Sequence, residues 1–253
     1  MYPEERQRWI LERLNDLGRV EVLEIAAELG VTPETIRKDL TQLETLGHIK
    51  RVHGGAVNIE KLRYEPGLGS RASIMLLAKD AIAARALSEV PDGGSIILDA
   101  GSTTARLAAL LPRDRELMVV TNSVPVAAML ADTPSFTVLL IGGRLRSKTM
   151  ATVDSWALAA LSEIRVATAF MGANGISVER GFTTADPSEA AVKKAMVQAA
   201  KRVVVLADNT KIGDEKFVRF ASCQDVDVLI TSSGISDLDV SALEMANVKV
   251  VVA

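Results

Sequence analysis

Seven short apolar runs recur between residue 95 and the C-terminal end, at 95–98, 117–120, 137–141, 167–171, 203–206, 226–230 and 248–252. Between most of them lie stretches with helical spacing, at 104–111, 125–131, 155–162, 188–200 and 238–246. The runs lack the strict in–out alternation of a strand with one wet face, so they belong in a sheet buried on both sides. Strands joined through helices make that sheet largely parallel and put helices on both of its faces. The expected architecture is an α/β, Rossmann-like domain over residues 73–253, opened by a helix that includes Ala78 and Ile82. Aromatic residues make up only 4% of the chain, so the core is built from Ala, Val, Leu and Ile.

The loops that follow the strands are small and polar: Asp99-Ala-Gly-Ser-Thr-Thr104, Thr121-Asn-Ser123, Gly142-Gly-Arg144, Gly172-Ala-Asn-Gly175, Asp208-Asn-Thr-Lys211 and Thr231-Ser-Ser-Gly234. In an open α/β sheet, ligands bind beyond the carboxyl ends of the strands. Turn formation alone accounts for Gly, Asn or Ser in any one loop. Six such loops, with Arg144, Lys148 and Lys211 nearby, point to a small polar anion. Residues 100–104 are the expected anchor. Gly101 lets the backbone approach an oxyanion, Ser102, Thr103 and Thr104 supply hydroxyls, and the next helix offers free N–H groups. The loop has neither the Gly-Lys-Ser/Thr ending of a P-loop nor a G-x-G-x-x-G fingerprint. A phosphate on a sugar fits it, with Asp99 and Asp208 bonding sugar hydroxyls and Lys211 neutralising charge. Glu189 and Lys193, four residues apart on one helix, read equally as a surface pair of about 0.3–0.5 kcal/mol or as pocket residues. The same groups admit a rival reading, an aldose–ketose isomerase using Asp99, Asp208 and Lys211 as base and electrophile.

Residues 1–57 carry a different pattern. Ile10, Leu14 and Leu17 repeat at helical spacing up to Gly18, and Val22, Ile25, Ala26 and Leu29 form a shorter stripe ended by Gly30. Thr32 is a good N-cap and Pro33 stands at the first helical position, where its missing N–H is harmless. Ile36, Leu40 and Leu43 are the buried face of a third helix that ends at Gly47. Three short helices with a tight second turn make a helix-turn-helix, whose third helix enters the major groove. Arg37 and Lys38 reach phosphates or guanine edges, and Thr35 a base edge or phosphate. Residues 49–52 then read as a strand turning through His53-Gly54-Gly55 into Ala56-Val57, a wing that carries Lys50, Arg51 and His53. A small protein-interaction domain with a solvated charged face shares this periodicity. Residues 58–72, with Pro66, Gly67, Gly69 and Ser70, read as a linker.

Charge tests the nucleic-acid reading. The chain has a net charge of −3, and residues 1–57 hold eight basic against ten acidic side chains. A DNA case therefore rests on placement: most of the acids precede the reading helix, and residues 50–57 are purely basic. The single cysteine, Cys223, forms no internal disulfide, and two histidines with no Cys/His cluster exclude a zinc centre. No metal or cofactor is expected. The N-terminus has no apolar signal segment and the longest apolar runs are too short for a bilayer, so the expected location is the cytoplasm.

The head also resembles the DeoR-type family of bacterial repressors of sugar metabolism. The residues that carry the likeness are Leu-Gly-Val at 29–31, Thr-x-x-Thr-Ile-Arg-Lys-Asp-Leu at 32–40, Leu-Glu-x-x-Gly at 43–47 and Arg-Val-His-Gly-Gly-Ala at 51–56. Thr32 stands where the family commonly has Ser, and either residue caps a helix. Motifs at 98–104, 121–123, 142–144, 170–175, 181–184 and 207–213 extend the likeness over nearly the whole chain. Many members have Gly-Pro near Asp154-Ser155, and this chain departs there. Residues 174–177 and 182–186 look most like repressors of the fructose type. The resemblance implies a sensor domain folded like ribose-5-phosphate isomerase, binding a phosphorylated sugar, and a homodimer or homotetramer on operator double-stranded DNA. The expected DNA-binding set is Thr32, Thr35, Arg37, Lys38, Lys50, Arg51 and His53. The expected effector set is Asp99, Gly101, Ser102, Thr103, Thr104, Thr121, Asn122, Gly143, Arg144, Asn174, Glu189, Asp208 and Lys211.

Overall fold

The structure, a computed structural model, describes residues 2–17, 19–46, 48–52, 54–58, 65 and 67–253, without the side chains of 15–17 and 58. The chain divides into two compact units, 1–65 and 66–253.

The first unit contains α1 (Pro3–Leu17), β1 (Arg19–Glu21), α2 (Val22–Leu29), α3 (Pro33–Thr45), β2 (Ile49–Val52) and β3 (Gly55–Asn58). The N-cap of α3 is made as its sequence dictates: the Thr32 hydroxyl accepts from the Thr35 N–H at 3.2 Å, with Pro33 next. Gly30, at φ +62, ends α2 in the left-handed region. Ile10 and Leu14 of α1, Ile25 and Ala26 of α2, and Ile36, Leu40 and Leu43 of α3 close a core with Val20, Ile49 and Ala56. The ends expected at Gly18 and Gly47 lie outside the described residues, as does the side chain of Leu17. Strand β1 is absent from the sequence reading. It pairs antiparallel with β3, opposite the partner β2, giving the order β1-β3-β2. Gly55 is required there, because a Cβ on it would lie 1.9 Å from the Val20 carbonyl oxygen.

The second unit is built on seven parallel strands. These are β4 (Gly94–Leu98), β5 (Leu117–Thr121), β6 (Phe136–Leu140), β9 (Val166–Gly172), β12 (Ala200–Leu206), β14 (Val228–Thr231) and β15 (Lys249–Val252). Their order is β15-β14-β12-β9-β4-β5-β6, so the chain reverses its direction of travel between β4 and β9. Alternate strand residues feed two cores. Ile96, Leu98, Val204 and Leu206 pack with α5 (Leu76–Ala86), α6 (Ser102–Leu110) and α7 (Val124–Leu130) through Ile82, Leu107 and Val126. Ile97, Ala169, Val203 and Val205 pack with α8 (Ser155–Ser162), α9 (Pro187–Ala199) and α10 (Asp237–Met245) through Leu161, Met196 and Leu243. Burial on both faces is why the runs lack alternation.

Two small ribbons rise from the strand ends. One pairs β7 (Arg144–Arg146) with β8 (Ala151–Val153), and the other orders β10 (Gly175–Ser177), β11 (Gly181–Thr184) and β13 (Val218–Ala221). Strands of three or four residues are too short to leave a periodic signal, and the sequence reading passes over them. The stretch read as linker also differs from expectation: Asn58 ends β3, and Leu68–Ser73 forms a short helix, α4, within the second unit. Residues 59–64 and 66 lie outside the described residues.

Candidate DNA-reading face and effector crevice

Helix α3 sorts the head's motif by direction. Arg37 and Lys38 are exposed and Asp39 is buried. Asp39 accepts from Arg6 of α1 through both guanidinium arms, Nη2–Oδ1 at 3.1 Å, and Gln7 reaches the same carboxylate at 3.4 Å. This hydrogen bond raises the pKa of Arg6 further. The pair therefore fixes the reading helix on α1, a role the charge count alone did not separate from a surface acid.

Of the expected DNA-binding residues, Arg37, Lys38, Lys50 and Arg51 are exposed. Arg37 reaches back to Glu34 at 3.2 Å on its own helix. A shallow groove of about 390 Å3 is lined by Glu34, Arg37, Lys38, Thr41, Gln42 and Arg51, between the outer face of α3 and β2. Two expectations change. The Thr35 hydroxyl shares a hydrogen bond of 2.9 Å with Thr32, so both belong first to the cap. Arg51 donates to the Thr41 hydroxyl at 3.0 Å, and its N–H to Glu44 at 2.9 Å, tying the wing to the reading helix. His53 lies outside the described residues.

In the second unit the candidate ligand crevice is placed by topology, where the strand order reverses between β4 and β9, the usual ligand position in such sheets. Asp99 follows β4 and is 1% exposed. Its Oδ2 accepts from the Gly172 N–H at 2.9 Å and from the Lys193 ammonium. Lys193 also donates to the Gly172 carbonyl at 3.0 Å and lies 5.3 Å from the Phe220 ring centre. Glu189, one turn before Lys193 on α9, accepts from Arg146 at 3.0 Å and from the Thr149 hydroxyl. Arg146 also pairs with Asp186 at 3.2 Å, the residue that caps α9. Glu189 and Lys193 are both 5% exposed, which rules out the surface-pair reading. They lie one turn apart on α9 and join different networks.

The expected anchor has a divided role. Ser102 and Thr103 open α6, with Thr103 buried, and present the free N–H end of that helix. Thr104 differs: its hydroxyl donates to the Asp99 carbonyl at 2.6 Å and to the Gly101 carbonyl at 3.0 Å, so it shapes the loop. A Cβ on Gly101 would lie 3.1 Å from that hydroxyl oxygen. Thr121 and Asn122 are likewise framework residues. The Thr121 hydroxyl donates to the Leu98 carbonyl at 2.6 Å. The Asn122 side chain accepts from the Ala100 N–H and donates to the Thr152 carbonyl, both at 3.2 Å. Asn174 accepts from the Thr184 hydroxyl at 2.9 Å, binding the second ribbon together.

Gly143 and Arg144 also move away from the expected role. Gly143, at φ +143, stands where a Cβ would come 2.4 Å from the Val153 carbonyl oxygen, so its place is steric. Arg144 is exposed and donates to Asp154 at 2.6 Å, a hydrogen bond that lowers the pKa of Asp154 and raises that of Arg144. The arginine of this ribbon that reaches α9 is Arg146. Asp154 itself adopts φ +77, ψ −164, a conformation that favours glycine. The position at which the chain departs from Gly-Pro is thus one that glycine would occupy without strain.

Asp208 is 2% exposed and closes a turn, accepting from the Thr210 N–H at 3.2 Å, with Lys211 3.9 Å away. Lys79, absent from the expected set, lies near them. It is 4% exposed, donates to the Ile74 carbonyl at 2.7 Å and to the Arg71 carbonyl, and has its pKa lowered chiefly by burial. Asp208 offsets that effect, while Lys211, Arg71 and Arg106 add to it. A signal for Lys79 existed: it falls on the stripe Lys79, Ile82, Ala83, Ala86, the buried face of α5. Lys79 comes from the α5 side of the sheet and Lys193 from the α9 side. Lys193 is committed to Asp99 and the Gly172 carbonyl, Arg146 to Asp186 and Glu189, and Lys79 to two backbone carbonyls near Asp208 and Lys211. Among the described residues no cluster of His, Cys, Asp and Glu could hold a metal ion, and no helix is long and apolar enough to cross a membrane.

Comparison with known proteins matches residues 6–61 to the DeoR-like helix-turn-helix domain and residues 75–233 to the DeoR C-terminal sensor domain. The chain is 38% identical to the HTH-type transcriptional regulator GlpR of Haloferax volcanii, over 99% of this chain and 98% of that one. It is 35% identical to the HTH-type transcriptional repressor GlcR of Bacillus subtilis, over 91% and 89%. Among solved structures, ribose 5-phosphate isomerase A of Methanocaldococcus jannaschii aligns over 53% of each chain, with 20% identity and a TM-score of 0.40.

Proposed function

The chain belongs to the DeoR family of DNA-binding transcriptional regulators, and from that premise we propose that it represses a sugar-utilisation operon and leaves its operator when a phosphorylated sugar fills the crevice. Its full-length relatives are regulators, and the isomerase reading is set aside. The observation that supports the effector proposal is buried Asp99, at the end of β4 just before α6, bonded by Lys193 and the Gly172 N–H where the strand order reverses. Ser102 and Thr103 with the α6 N–H groups receive the phosphate. Asp99, Glu189 and Asp208 face the sugar hydroxyls, with fructose phosphates the first candidates. Arg37, Lys38 and Lys50 contact DNA, and Arg51 sets the wing against α3. A single head binds weakly, so the acting form is a homodimer or homotetramer in the cytoplasm.

Titration calorimetry with a panel of fructose, ribose and glucose phosphates tests the site. One member binds the native protein, and Thr103→Val weakens that binding at least tenfold with DNA affinity unchanged. Equal binding by native protein and Thr103→Val places the phosphate elsewhere.

A further inference from the structure

The second unit begins with a segment whose fastenings are made by the walls of the crevice. Residues 67–75 run from the boundary between the units into α5. At the start of the segment, the Leu68 N–H donates to the Lys148 carbonyl at 3.0 Å. Lys148 adjoins Thr149, whose hydroxyl donates to Glu189. At the other end, the Lys79 ammonium donates to the carbonyls of Arg71 and Ile74, the latter at 2.7 Å. Between these fastenings and α5, Met75 is held at φ +54, a left-handed conformation that an unbranched side chain rarely adopts. The chain's covalent route from the crevice to the reading head passes through this segment.

We propose that residues 67–75 form a strap that transmits occupancy of the crevice to the DNA-reading unit, with Lys79 as the positioning residue that fastens it. This rests on the effector reading above. The Lys79 ammonium is shared between two carbonyl dipoles. An anion at the start of α6 offers it a full negative charge, which bonds an ammonium more strongly than a neutral carbonyl does. Arg106, on the second turn of α6, is paired with Asp80, the neighbour of Lys79, so α5 and the phosphate end of α6 already adjoin. Movement of Lys79 towards the anion frees the carbonyls of Arg71 and Ile74 and lets Met75 relax. At the far end, a sugar that engages Glu189 pulls on the Thr149–Lys148 corner that holds Leu68. One ligand thus acts on both ends of the strap.

The two fastenings are separable by mutation. Lys79→Met removes the ammonium and Lys79→Arg restores a cation. Leu68→Pro removes one N–H at the first helical position, where proline is tolerated, and Gly67 at φ −59, ψ 159 already suits a following proline. Leu68→Ala keeps the N–H and controls for the lost side chain. The full-length variants are compared by amide hydrogen exchange and by affinity for a duplex spanning the DNA upstream of the protein's own coding sequence. Lys79→Met and Leu68→Pro should each speed exchange across residues 68–79 at least tenfold and leave 94–110 protected. Each should also shift duplex affinity at least fivefold, in the same direction, while Lys79→Arg and Leu68→Ala stay near the native protein. Faster exchange with unchanged duplex affinity overturns the transmitting role, and unchanged exchange overturns the fastening. If Lys79→Met does not fold, Leu68→Pro against Leu68→Ala decides alone. Should these shifts appear while no sugar phosphate alters the native affinity, the effector reading fails and with it the report of occupancy, while the coupling of residues 67–75 to the reading unit stands.

Discussion

Two buried ion pairs, Arg6–Asp39 in the head and Lys193–Asp99 in the sensor, use similar chemistry to different ends. In the first, both carboxylate oxygens are held by side chains of the same small unit, with Gln7 filling the remaining space. That pair joins α1 to α3. In the second, the carboxylate lies at a strand end, shares Oδ2 between Lys193 and the Gly172 backbone, and borders the free N–H end of α6. The composition of the pair does not decide its role; its position in the fold does. A pair closed by its own domain makes stability, and a pair at the carboxyl edge of a parallel sheet makes a site.

The largest expected effect breaks the closed pair. Asp39→Ala removes the carboxylate that holds buried Arg6, and should destabilise the head by about 3 kcal/mol. Denaturant unfolding checks this, and a change below about 1 kcal/mol would place the pair among surface salt bridges. Next comes a residue on the outer face of the same helix. Arg37→Ala should leave unfolding unchanged yet weaken operator binding by about 1–3 kcal/mol and relax base preference, if it reads a guanine. Equal affinity for operator and scrambled duplexes, before and after mutation, would remove it from the reading set. Lys193→Met addresses the open pair. It should retain operator binding and raise the sugar phosphate concentration for half-release at least tenfold. A normal release curve, with a loss of stability matching Asp39→Ala, would erase the distinction between the two pairs. The smallest effect concerns Asp154, held at φ +77. Asp154→Gly should raise the melting temperature by relieving that conformation, even though the hydrogen bond to Arg144 is lost. A lower melting temperature would show that the pair outweighs the strain.

What the sequence makes legible follows from the range of each interaction. Thr32 and Pro33 announce the reading helix because an N-cap acts over three residues. The apolar runs announce the parallel sheet because both faces of the central strands meet a core. The crevice depends on longer reach. Asp99 meets Lys193 across 94 positions, and Arg146 meets Glu189 across 43. No local pattern marks either partner, so Arg144 is chosen although Arg146 is the one that meets Glu189 and Asp186. Thr104, Thr121 and Asn122 show the converse. Their residue types suit a ligand, but their polar atoms already bind neighbouring backbone, a fact only tertiary structure supplies. Lys79 is the instructive omission, since a lysine on the buried stripe of a helix is visible once charge is read against periodicity.

The central claim is that the grip of α3 on DNA is conditional on the crevice. It is tested most directly by fluorescence anisotropy of the full-length protein on a labelled duplex from the promoter beside its own gene, titrated with individual sugar phosphates and, as a control, inorganic phosphate. The prediction is tight binding at low ligand, released in a saturable way by one phosphorylated sugar and not by its unphosphorylated counterpart. Duplex binding that stays unchanged across the whole panel would contradict it.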